Sequence, residues 1–140
     1  MKKIILSLFL VFAFLSTTAM ADSKLHKVVI QVSTNDPLTQ KIALNNAVNL
    51  QKLYGMDNVV VEIVAYGPGL SLLMANNKQS KRVSSLAQSD IKFSACMNTM
   101  NKFKKKKGHF PKLSEGVEKV QAGVARIIEL QEEGYTYIRP

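Results

Sequence analysis

From residue 28 onward the chain alternates short apolar runs with stretches whose apolar residues recur every three or four positions. Residues 28–32, VVIQV, are β-branched but for Gln31 and predict a strand. Ser33, Thr34, Asn35, Asp36 and Pro37 follow, and Asn35 or Asp36 is a natural helix cap with Pro37 in the first turn. From there Leu38, Ile42, Ala43, Ala47, Leu50 and Tyr54 fit one helical stripe, ended by Gly55. Residues 59–66, VVVEIVAY, are apolar on both alternating faces except at Glu62, as in a central parallel strand buried on both sides. Gly67, Pro68 and Gly69 stop that run.

The second half repeats the alternation. Residues 70–75 predict one or two helical turns, and 81–88 a short helix with Val83, Leu86 and Ala87 inward. Residues 91–95 predict a third strand, and a helix starts at Cys96 and runs through Met97, Met100 and Phe103. The Lys-rich segment and Gly108, His109, Phe110 and Pro111 read as a long loop. A weak strand at 117–121, an amphipathic helix at 122–133 carrying Val124, Ile127, Ile128 and Gln131, and a strand at 135–138 complete the pattern. Strands alternating with helices imply right-handed crossovers and a mainly parallel sheet with helices on both faces, an α/β fold. No internal repeat or linker divides it.

The N-terminus stands apart from this pattern. Lys2 and Lys3 precede an apolar run at 4–15, and Ala19, Met20 and Ala21 form a small-x-small cleavage site. That order predicts a signal peptide over 1–21 and one domain over 22–140, exported to the periplasm or secreted. The apolar run is shorter than the roughly 20 residues of a bilayer span, so stable membrane insertion is not expected after cleavage. Export also changes the reading of the cysteine count. An exported protein meets an oxidising compartment, yet Cys96 is the one cysteine and has no partner within the chain.

Charge adds a second local feature. The formal net charge is +9, and Lys102, Lys104, Lys105, Lys106 and Lys107 concentrate much of it. Such a run fits an anionic surface such as lipid or another polyanion, although charge blocks are usually solvated loops. With Phe103 as its one interleaved aromatic, it does not point to nucleic acid.

Parallel sheets collect ligands at the carboxyl ends of their strands. The loops at 33–36, 66–69 and 96–98 are therefore expected to meet at one edge, with Cys96 at that edge and near a helix N-terminus that favours a thiolate. The alternative for Cys96 is a small buried hydrophobe. His26 and His109 lie far from Cys96 in sequence, so no Cys–His pair and no metal-ligand spacing is legible, and no cofactor is expected. Gly67 and Gly69 match no phosphate-loop motif and read first as a turn. Glu62, inside a buried strand, could lie near the sheet edge, pair with a Lys, or face a subunit contact.

The segments HKVVIQVSTNDP, ALNNAVNLQKLYG, VEIVAYGPGL, IKFSACMNTM and GVARIIELQEEGYTYIRP together resemble the DsrE/DsrF-like family, in particular its small exported single-domain members. The likeness spans residues 26–140 apart from 102–113. It implies a three-layer sandwich with a mostly parallel sheet of about five strands. It also implies homo-oligomers, trimers or hexamers. In the family's sulfur-relay branch, a cysteine at the position of Cys96 carries a persulfide exchanged with donor and acceptor proteins. Asn98 stands beside it in the motif, and Asn35, Asp36, Gly67 and Gly69 match loops lining the same pocket. Two readings of function follow. In one, Cys96 is a thiol or persulfide site in sulfur handling. In the other, the protein is a non-enzymatic ligand-binding or assembly module in which Cys96 only packs.

Overall fold

A computed structural model describes residues 24–140; the signal-peptide expectation falls on residues outside that range. The β-branched run at the start forms β1, His26–Val32. Its end is converted into a helix by a local capping device. Asp36 stays extended, its carboxylate accepts the Thr39 N–H at 2.7 Å, and Pro37 opens α1, Pro37–Tyr54. A single 3-10 turn, Met56–Asn58, leads to β2, Val59–Ala65. A longer 3-10 segment, Gly67–Leu73, precedes α2, Ser80–Ala87. Then come β3, Ile91–Cys96; α3, Met97–Lys107; β4, Val117–Val120; α4, Gly123–Glu132; and β5, Thr136–Ile138.

The five strands form one sheet in the order β4-β3-β2-β1-β5, and every pairing is parallel. The chain steps outward from β1 to β4 in one direction, then crosses back under the sheet to β5. Right-handed crossovers put the outward helices on one face and the returning helix on the other. The core follows that division. Val28, Ile30 and Val32 of β1 and Val61, Ile63 and Ala65 of β2 face α1, the 3-10 segment, α2 and α3. There they pack with Leu44, Leu70, Leu73, Val83, Phe93 and Met100. Val29 and Val64 point the other way, toward Ile127 and Leu130 of α4. The result is the expected three-layer α/β sandwich.

Three local expectations are corrected. The Lys-rich segment is not a loop. α3 continues through Lys107 and is closed by Gly108, whose N–H donates to the Lys104 carbonyl at 2.8 Å. In α4 the buried side is Gly123, Ile127 and Leu130, while Val124 and Ile128 are more than half exposed. In α1, Leu38 and Ile42 face outward and Gln40 and Leu44 are buried instead. Gln40 is admitted because its amide donates to the Thr34 carbonyl and to Ser71 Oγ, at 3.0 and 2.8 Å.

Candidate functional site

Parallel pairing brings the strand ends into one row. Val32 is in register with Ala65, Ala65 with Ala95, and Cys96 with Val120. Cys96 ends β3 and is the capping residue of α3, still extended at φ −70° and ψ 116°. It is 5% exposed. The neutral thiol makes no capping hydrogen bond. The groups around it nevertheless favour its anion. Burial pushes the thiol pKa up, but the backbone N–H of Gly123, the Thr99 hydroxyl, and the N–H groups of Thr99 and Asn98 together draw it below the ordinary cysteine value. The Thr99 hydroxyl is itself fixed, because its oxygen accepts the Gly67 N–H at 2.9 Å. That leaves its proton for Cys96 Sγ.

Two glycines make this edge tight. A Cβ on Gly69 would collide with the Val32 carbonyl, so the turn after β2 can press against the end of β1 only with glycine. A Cβ on Gly123 would lie 3.0 Å from the Tyr66 side chain and 3.3 Å from Cys96 Cβ. Glycine there lets the start of α4 approach the sulfur.

The expected loops thus meet at this edge, but in different roles from those read in sequence. Asp36 is committed to capping α1, which holds its carboxyl below the usual range. Asn35 is exposed beside it. The Gly67 amide is used by Thr99, and the Gly69 amide donates to the Tyr66 carbonyl at 3.0 Å. Neither is free for a ligand. Asn98 acts through its backbone, and its side chain is exposed. Lys104, Lys105, Lys106 and Lys107 sit in the last turn of α3, away from the sulfur, and Lys102 lies at its middle. Sequence reasoning missed Thr99 and Gly123. Thr99 stands in the third position of α3, where a side chain can reach the cap residue. Gly123 is distant in sequence and carried no such signal.

Glu62 finds a partner that sequence did not name. It is 1% exposed on the α4 side of the central strand β2. Arg126 of α4 grips it through Nε and Nη2, both at 2.8 Å, and Ser94 Oγ donates at 2.7 Å. Burial raises the Glu62 pKa, but Arg126 and Ser94 more than offset it and keep the carboxylate ionised. This network borders a cavity of about 550 Å³, lined also by Lys92, Glu118, Val120 and Gln121. Two of its lining residues adjoin the sulfur edge: Val120 pairs with Cys96, and the Gln121 carbonyl accepts the Asn98 N–H at 3.3 Å. Among the described residues no group of three His, Cys, Asp or Glu side chains is placed to hold a metal ion, and no helix is long and apolar enough to cross a membrane.

No protein-family model and no curated protein matches the chain. Among solved structures it is similar to the protein of unknown function MTH1491 from Methanobacterium thermoautotrophicum, with a TM-score of 0.74 and 32% sequence identity. The match covers 82% of this chain and 99% of that one. Identity at this level over the whole length of a second protein with the same fold means that the chain belongs to the same family as MTH1491.

Proposed function

We propose that the protein is an exported, DsrE-like single-thiol sulfur handler in which Cys96 accepts and releases a sulfur atom. The observation that carries this reading is the position of Cys96: it ends β3 as the capping residue of α3, beside Gly123, where the helix N-terminus favours the anion. The Cys96 thiolate attacks the outer sulfur of a persulfide or polysulfide donor. A new S–S bond forms at Sγ, the donor's own S–S bond breaks, and the donor leaves as a thiolate or shortened polysulfide. Transfer onward reverses the roles. An acceptor thiolate attacks the terminal sulfur, and Cys96 leaves as the thiolate that its amides stabilise. No oxidant, metal or cofactor is consumed. The low exposure of Cys96 favours a slender donor tip over a bulky one. Assembly into trimers or hexamers belongs to the same reading.

Intact mass spectrometry after exposure to inorganic polysulfide tests it. The expected result is one added sulfur, absent in Cys96→Ser, with alkylation of the unmodified protein titrating below the pH of a free cysteine. The same burial supports a second reading, a binding or assembly module in which Cys96 packs. Alkylation that fails at every pH in the folded protein and proceeds in urea, together with no mass gain, establishes that reading instead.

A further inference from the structure

We propose that the carboxyl-terminal end of α3 and the turn after it form a docking surface for anionic phospholipid, independent of the chemistry at Cys96. From Met97 to Ser114 the chain contains no acidic residue, while Lys102, Lys104, Lys105, Lys106, Lys107 and Lys112 fall inside that span. All of these lysines are exposed. The helical path, absent from a loop, gives them direction. Met100 points into the core, and Lys102, Lys105 and Lys106, spaced three and four apart, share the outer face. Compensation of the helix dipole accounts for one or two cations in a last turn. It does not account for five in six residues, whose mutual repulsion opposes the fold.

The second observation is apolar. The turn after Gly108 folds back on the helix, so that Lys104 Nζ lies 4.6 Å from the centre of the Phe110 ring. His109 meets Phe103 edge-on at 5.8 Å. Phe110 is thereby held among the cations while 42% exposed. Beside it a cleft of about 350 Å³ is lined by Met74, Phe103, Pro111 and Lys112. Lysines that neutralise headgroups around an apolar ring that enters the boundary below them match an interfacial lipid site. A DNA duplex would meet the lysines through its phosphates and leave the exposed Phe110 ring without an apolar partner.

The test is co-sedimentation of the chain from Asp22, which contains every strand and helix described, with phosphatidylcholine vesicles with and without phosphatidylglycerol. Binding is expected only with phosphatidylglycerol and is expected to weaken as salt rises. Each basic side chain near such a surface contributes about fivefold in affinity, so the triple change Lys102→Gln, Lys105→Gln, Lys106→Gln costs roughly a hundredfold. The corresponding triple change to Arg keeps binding. Phe110→Ser costs about fivefold, as loss of a half-buried ring requires. Circular dichroism confirms that each variant folds. No binding to phosphatidylglycerol, equal binding to neutral vesicles, or full retention of binding in Phe110→Ser overturns the proposal. Affinity for a DNA duplex equal to that for vesicles also overturns it.

Discussion

The two faces of the sheet are built by different rules. On one face α1, α2, α3 and a 3-10 segment bury a continuous apolar layer around Phe93, Ile63 and Leu44. On the other, α4 is the one helix among the described residues, and it packs against β1, β2, β3 and β5. Its small apolar cluster of Val29, Val64, Ile127 and Leu130 is joined to the Glu62–Arg126–Ser94 network rather than extended by more hydrocarbon. The first face gains stability from area removed from water. The second gains orientation, because Arg126 must meet two carboxylate oxygens at once and so fixes the position of α4. Since α4 begins at Gly123, the polar face also sets how closely the Gly123 amide approaches Cys96.

The contrast can be broken most severely on the packed face. Phe93 is fully buried, and Phe93→Ala is expected to cost about 3–5 kcal/mol, read from urea unfolding. On the polar face, Arg126→Met leaves Glu62 buried without its cation, and the expected cost near neutral pH is about 3 kcal/mol. The pH dependence sharpens the distinction. The folded pKa of Glu62 is lowered, so its contribution is present above the unfolded carboxylate value and is lost as pH falls through the folded one. The gap between wild type and Arg126→Met should therefore narrow in acid, whereas the Phe93→Ala gap should not. Adding Glu62→Leu to Arg126→Met should recover much of the loss. The smallest effect is expected at the margin of the polar face. Tyr137 donates to Gln31 Oε1 at 2.8 Å, and Tyr137→Phe should cost about 0.5–1 kcal/mol in the same unfolding assay.

The fold was largely legible because strands buried on both faces leave a strong signal. VVVEIVAY could hardly be anything other than a central parallel strand, and it is β2. Helix faces were less legible. In α4 the apolar residues Val124 and Ile128 suggested an inward stripe, but a single helix over a half-polar face needs Arg126 turned inward, which rotates them outward. The lysine run reads as a loop because it leads into Gly108 and Pro111 and because charge blocks are usually solvated. The helix instead extends to Gly108, with four of those lysines in its last turn, where the dipole favours cations. At the site, the strand-end position of Cys96 was visible in sequence. The donors around it were not, because Gly123 reaches the sulfur only through the crossover from β4 and Gly67 only through Thr99.

One helix joins the two places where chemistry has been argued. α3 begins at the sulfur and ends in lysine, and its 11 residues rise about 1.5 Å each, roughly 16 Å in all. With Lys102, Lys105 and Lys106 turned toward a lipid surface, α3 would lie along that surface, and the strand ends carrying Cys96 would sit beside the membrane rather than far above it. A donor reaching the thiol would then have to come past the edge of the contact between protein and lipid.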